Sequence, residues 1–395
     1  MAGTIALLLI ASWAALAAAA GAETIRVAIA EDQRSVVLKS SSGFISGTGG
    51  PGSGRVSYTP SEVGSRPVRV VPAGTFITVN GRSYRGLIEL RKKRNGLLQV
   101  INELNIEDYL KGVVAAEIPH DWEFEAIKAQ AVAARTYALY EKRMAGSRPF
   151  HILATVNSQV YSGKSGERAT AVRAVRETEG IVITYQGEVV SAFYHSSCGG
   201  HTEDAFELWG IDAPYLRGVD CECQQISRYG LWEKRLSPEQ IAASLAKLGY
   251  RFDGLQGMAI DGITPAGRVK QVTLRHAGGT ISVPAERFRG AIGYSAVPSV
   301  FFEIELSGSE VVISGRGLGH GVGLCQWGAR EMAQHGHDYK AILAHYYPGT
   351  RLAKRETRNP RRRNRGKRSR FRRRKKPQAL LSPSRTEGRP RLFCC

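Results

Sequence analysis

Apolar and polar positions alternate in short runs from Glu23 to about Gln99. Thr24-Ile25-Arg26-Val27-Ala28-Ile29 and Val68-Arg69-Val70-Val71 are two of these, and Gly/Ser clusters break the runs apart. A period of two predicts strands with one buried face. Gly43 to Ser57, rich in Gly and Ser with one Pro, predicts a flexible loop. The period then lengthens. Ile106-Glu107-Asp108-Tyr109-Leu110 opens a short helix towards Ala116, and Glu123 to Met144 is dense in Ala, Glu, Lys, Gln, Leu and Arg, the strong helix formers. Ile127, Ala131, Ala134 and Ala138 fall on one face, whose small residues predict close packing against a neighbour, and Gly146 lies beyond the end. Ile181 to Phe193 returns to strand, divided by a Gln186-Gly187 turn. Strands alternating with loops are expected up to Ile313, followed by a last helix from about Trp327 to His345. The pattern is that of a mixed α+β fold: a β-rich N-terminal region, a central helical core, further strands and a C-terminal helix. No internal repeat is evident.

The two ends depart from this pattern. Ile5 to Ala20 is apolar apart from Ser12, and Ala20-Gly21-Ala22 offers the small-x-small pattern of a signal-peptidase site. Residues 1–22 are therefore expected to be a cleaved signal peptide, with a retained anchor as the alternative, since no Lys or Arg precedes Ile5. The protein is expected to be exported to the periplasm or cell envelope. At the other end, Lys354 to Arg391 holds eighteen Lys and Arg against two acids, so +16 of the net charge of +20 belongs to this tail. A strongly basic chain usually suggests nucleic acid, but here the charge sits on an appendage and export argues against that partner. An anionic envelope surface fits better, and a solvated extension without a partner is the plainer alternative. The expected organisation is a body over residues 23–352 (a β-rich part 23–99, a core block 100–200 and a C-terminal part 201–352) and a disordered basic tail over 353–395.

Several chemistries are excluded by pattern. Gly163-Lys164-Ser165 ends like a phosphate loop, but Ser158 stands where the leading glycine is needed. The alternating glycines from Gly315 to Gly323 fit no dinucleotide-binding register, and neither a zinc-protease helix motif nor a serine nucleophile elbow occurs. Glu117 stands out, closing an apolar helix just before Ile118-Pro119. A carboxyl among apolar neighbours suits a general acid, and a solvated helix-end acid is the bland alternative. Lys128, Gln130 and Arg135, on the next helix, are candidates to face the same cleft. Cys198, in the polar cluster that follows Tyr194, could join Cys221 and Cys223 as zinc ligands or form a disulfide with one of them; both readings are open. The glycine run either brings backbone close to a ligand or makes a tight turn.

Taken together, EDYLKGVVAAEIP, KAQAVAARTYAL, QVYSG at Gln159–Gly163, YHSSCGGHTE, PYLRGV and GRGLGHGVGLCQWGA leading to HYYPGT resemble the sporulation stage II protein D (SpoIID/LytB) family over about residues 23–352. The resemblance implies a peptidoglycan lytic transglycosylase acting on glycan strands stripped of peptide stems, with Glu117 as the catalytic carboxyl. Some relatives resemble amidase enhancers, so the runner-up is a non-catalytic, glycan-binding enhancer of a wall amidase. Polar side chains of the matched blocks, Lys128, Gln130, Arg135, Tyr161, His195, His320 and Gln326, are the candidate substrate contacts. Some relatives bind zinc just before the Q-x-Y block. Here Thr155-Val156-Asn157-Ser158 offers no ligand apart from nearby His151, so no metal or other cofactor is carried over. Trp327 and Cys325 stand where the family usually has tyrosine and serine.

Overall fold

The computed structural model describes residues 23–46, 54–307 and 309–355. The expected signal peptide, residues 1–22, and the tail from residue 356 onward lie outside the described residues. Among the described residues are nine helices: α1 (Pro60–Val63), α2 (Ile106–Glu117), α3 (Phe124–Met144), α4 (Ala169–Glu177), α5 (Ala205–Trp209), α6 (Pro238–Ala246), α7 (Ala285–Ile292), α8 (Gln326–Gln334) and α9 (Tyr339–Tyr346).

The alternating N-terminal runs build a six-stranded sheet in the order Ile152–Leu153, Thr24–Gln33, Leu98–Asn105, Leu87–Lys92, Val68–Pro72, Phe44–Ser46. A four-stranded sheet orders Arg55–Tyr58, Val36–Lys39, Ile77–Val79 and Arg82–Tyr84 beside one another. The loop expected over Gly43 to Ser57 is therefore a correction. Phe44–Ser46 pairs with Val68–Pro72 and Arg55–Tyr58 pairs with Val36–Lys39, with Phe44 and Tyr58 buried; residues 47–53 lie outside the described residues. Two buried aromatics outweigh the local Gly/Ser composition, because each removes a large apolar area from water.

Helix α3 is the spine of the main core. Ile127, Ala131, Ala134 and Ala138 are all buried, and so are most residues between them, so the helix is covered on nearly all sides. It packs against α2, α4, α8, α9 and the strand Ile181–Tyr185. Alanine makes this possible, since a small side chain lets helix axes approach. Strand Ile181–Tyr185 turns back into Glu188–Val189 through Gln186 and Gly187, both with positive φ, as the tight turn required. Its other edge pairs with Arg351–Lys354, so the folded body runs slightly past the boundary at 352 that composition suggested.

A second hydrophobic core gathers Leu236, Ile241, Leu245, Val272, Val283, Phe288, Val300 and Ile313, all from residues 236–313. Here strands and loops were expected, yet α6 and α7 pack against each other. The start of α6 carries a capping box: the Gln240 amide donates to Ser237 Oγ and the Ser237 amide to Gln240 Oε1, with Pro238 at the first turn. The last helix is also corrected. It breaks into α8 and α9 at Gly336, whose φ is +84°, and restarts where Asp338 Oδ1 accepts from the Ala341 amide at 2.8 Å.

Candidate functional site

Glu117 is the last residue of α2. The helix starts where Asn105 Oδ1 accepts from the Glu107 amide at 2.7 Å. It stops because Pro119 forces the preceding Ile118 into extended backbone, with φ −136° and ψ 139°. The carboxyl is half-buried, and its Oε1 accepts from the Val160 amide at 2.7 Å.

The segment Gln159–Gly163 that supplies this amide is tied down at every residue. Gln159 is fully buried: its Oε1 accepts from Tyr109 Oη at 3.0 Å, and its Nε2 donates to the Ala134 carbonyl at 3.2 Å and to Tyr194 Oη at 3.1 Å. One amide thus joins α2, α3 and the strand Tyr194–His195. Ser162 Oγ donates to the Gly112 carbonyl. Gly112 has to be glycine, because a Cβ there would stand 2.8 Å from both the Gly163 carbonyl oxygen and the Tyr161 ring. The close approach of α2 to this segment is what brings the Val160 amide to the helix end.

Of the other predicted contacts, the structure brings Gln130 to Gln326 and His195 to His320. Lys128 is half-buried, paired with Glu125 at 2.5 Å and lying 5.2 and 5.1 Å from the centroids of the Phe124 and Tyr339 rings. Gln130 and Gln326 are buried and meet each other at 3.3 Å, Gln326 donating; Gln130 Nε2 has no hydrogen-bond partner among the described residues. Arg135 lies inside. It is 1% exposed, forms a two-point bond with Glu107 at 2.8 and 2.7 Å, and donates to the carbonyls of Val175 and Ile181. A guanidinium spent this way ties α3 to α2 and α4 and cannot reach a polymer outside. Tyr161 is likewise inside: its hydroxyl donates to Asn102 Oδ1 at 3.2 Å, its ring packs on Tyr84 and Tyr109, and burial pushes its ionisation well above the ordinary range.

His195 and His320 lie buried side by side, 5.4 Å between ring centroids. His320 Nε2 bonds to the Tyr194 carbonyl and its Nδ1 accepts from the Val322 amide, so it is neutral with its proton on Nε2. Burial, with help from His195, holds it well below the usual imidazole range; burial, with Arg268, pulls His195 down to about 3. Neither ring lies at the surface. The glycine run around them serves the turn. Gly321 and Gly323 have positive φ, and a Cβ on Gly323 would sit 2.2 Å from the Phe193 carbonyl oxygen. The backbone that approaches closely is the protein's own.

Two features are not legible in the sequence. Trp122 follows Glu117 by one turn of chain and packs edge-on to Trp327, centroids 4.8 Å apart. Arg330, bonded to Glu123 at 3.1 Å, covers both rings. The other is Cys325, whose Sγ joins those of Cys198, Cys221 and Cys223 within 4.8 Å of one another, all buried and none in a disulfide. Burial pushes Cys198 and Cys325 well above the ordinary thiol range, whereas hydrogen bonds from Cys198 and Cys221 hold Cys223 below it. A cavity of about 530 Å³ opens beside Cys221, lined also by Gly200, Asp220, Glu222 and Gln224; Glu117 is not among its lining residues.

A mixed α+β body whose central helices present one anchored carboxyl at a helix end defines the class. Comparison with known proteins supplies the family. The profile described as stage II sporulation protein matches residues 94–185, which contain Glu117 and Val160, and a domain of unknown function (DUF8618) matches 215–323, spanning most of the second core. The chain is 37% identical over 276 residues to an uncharacterized protein of Brachyspira hyodysenteriae, covering 69% of this chain and 73% of that one. It is 30% identical over 275 residues to the stage II sporulation protein D of Bacillus subtilis (65% and 76%). To the amidase enhancer of the same organism it is 32% identical over 292 residues, covering 62% of this chain but only 40% of that longer protein. The chain belongs to the stage II sporulation protein D (SpoIID/LytB) family.

Proposed function

We propose that this protein is a lytic transglycosylase of peptidoglycan glycan strands, with Glu117 as its single acid and base. The observation that carries the reading is the bond from the Val160 amide to Glu117 Oε1. A backbone N–H can only donate, so Oε1 is the accepting oxygen and a transferable proton belongs on Oε2. From there it goes to the glycosidic oxygen as the bond to C1 breaks. The carboxylate then takes the proton of the sugar's own 6-hydroxyl, whose oxygen bonds to C1 and closes a 1,6-anhydro ring. The proton count returns to its start, no water is consumed, and the second carboxylate of an ordinary glycosidase is unnecessary.

This reading takes the protein to the cell envelope, with stem-free glycan as its substrate. No described helix is long and apolar enough to cross a membrane. The likeness to the amidase enhancer favours a second reading, in which the body binds glycan and stimulates a wall amidase while Glu117 merely closes its helix. Incubating the purified protein with stem-free glycan and analysing products by mass spectrometry separates them. Anhydro-muramyl ends from the wild type and none from Glu117→Gln support the enzyme. Intact strands, together with a faster partner amidase, support the enhancer.

A further inference from the structure

We propose that Cys198, Cys221, Cys223 and Cys325 bind one zinc ion in a buried tetrathiolate centre that fastens the C-terminal helices to the middle of the chain. The proposal is independent of the glycan chemistry.

The four Sγ atoms lie within 4.8 Å of one another, and the Cys198 and Cys223 sulfurs are 3.4 Å apart. Zinc bound at about 2.3 Å from each sulfur in a tetrahedron sets sulfur–sulfur edges of about 3.8 Å. The cage is of that size. A cluster of several irons spreads its cysteines over different metals and needs a wider one.

The ligands come from three separated segments. Cys198 follows the strand Tyr194–His195, Cys221 and Cys223 flank Glu222 after the turn Pro214–Leu216, and Cys325 caps α8. The strand Tyr194–His195 pairs in parallel with Leu324–Cys325, which fixes two of the segments side by side. An ion here would link residues 127 positions apart in sequence.

The surroundings are those of thiolates. Backbone amides of Cys198 and Gly328 donate to Cys325 Sγ at 3.3 and 3.4 Å, and Tyr346 Oη lies 3.2 Å from Cys221 Sγ. Such N–H and O–H donors orient metal-bound sulfur and temper its charge. Gly328 also leaves the space: a Cβ there would meet Cys221 Sγ at 2.3 Å. Arg268, 1% exposed, donates to the Cys198 carbonyl at 2.7 Å and is paired with Glu203, Nη1 to Oε2 3.6 Å, while its Nε finds no hydrogen-bond acceptor among the described residues. Four thiolates and one zinc ion carry a net charge of −2, a favourable neighbour for a buried guanidinium. Finally, the cavity beside Cys221, bordered by the carboxylates of Asp220 and Glu222, gives a cation a route to the site.

The test uses the purified full chain. Elemental analysis and native mass spectrometry are expected to find one zinc per chain, held by four thiols that resist alkylation until a strong chelator is added. Exchange with cobalt is expected to give the visible bands of tetrahedral cobalt thiolate, a readout that needs no variant. Tyr346→Phe is expected to weaken zinc about tenfold or more in chelator competition. Cys325→Ser is expected to lose the stoichiometric metal, whereas Cys395→Ser keeps it. A folded, metal-free protein, or peptide masses showing Cys198 in a disulfide with Cys221 or Cys223, would overturn the proposal.

Discussion

Val160 donates its backbone N–H to Glu117 Oε1 at 2.7 Å, joining two residues 43 positions apart. Neither residue reaches the other through its own local structure. The contact exists because Gln159, one residue earlier, is clamped by Tyr109, Ala134 and Tyr194. On the proposed mechanism, Glu117→Gln keeps an accepting oxygen for Val160 and loses the proton. Product formation is expected to fall by about 10²- to 10⁴-fold with an unchanged melting temperature, the usual size of a general acid–base contribution.

Gln159→Leu tests the clamp. It leaves the buried Tyr109 and Tyr194 hydroxyls and the Ala134 carbonyl each short of a bond, at about 1–3 kcal/mol for an unsatisfied group. Lower stability in urea titration is expected, together with a loss of turnover larger than the loss of glycan binding. Weakened binding with unchanged turnover would show that the segment holds substrate rather than the carboxyl.

Arg135 discriminates scaffold from cleft. Removing one partner of a buried, hydrogen-bonded ion pair costs about 3–5 kcal/mol, so Arg135→Met is expected to lower the unfolding free energy by that order. Affinity for glycan, measured on the fraction that remains folded, is expected to stay as it was. A large loss of affinity at full stability would return Arg135 to the substrate-binding set.

His320 sets a pH dependence. Burial holds its folded-state pKa well below the ordinary imidazole value of 6.5, so below that pH the unfolded chain binds a proton that the folded chain refuses. Its contribution is whole above 6.5 and is lost as the pH falls towards the folded value, by about 1.4 kcal/mol per pH unit for one proton. Protonation would also break the bond that Nδ1 accepts from Val322. Nitrogen chemical shifts are expected to report a neutral ring at pH 5, still protonated on Nε2. A ring that titrates near 6.5 in the folded protein contradicts this.

The tail offers an experiment on location. Residues 356–395 carry most of the net positive charge, and attraction of a polybasic segment to anionic lipid is worth about 1 kcal/mol per Lys or Arg near the surface. Deleting them is expected to release the protein from envelope fractions and to remove the salt sensitivity of its retention. An unchanged distribution would leave the tail a solvated extension.

The sequence was informative wherever a single segment decides its own form. Strand Thr24–Gln33, helix α3 with its alanine face, the end of α2 at Glu117 and the Gln186-Gly187 turn follow from periodicity, propensity and the reach of Pro119, all of which act within a few residues. The capping box at Ser237 is equally local, but the strand pattern on either side of it dominates the one-dimensional signal. Glu117 was legible as a candidate for the same reason.

Which polar side chains stand inside was not legible. Arg135 and Tyr161 look like surface chemistry in a one-dimensional pattern, and only the folded chain reveals that Glu107 and Asn102 consume their donors. Cys325 reads as an isolated residue until strand Leu324–Cys325 lies parallel to Tyr194–His195 and carries it to Cys198. Local preference is fixed by neighbours in sequence. The satisfaction of a buried charge by a residue 28 positions away, or the convergence of sulfurs up to 127 positions apart, depends on segments that only packing brings together.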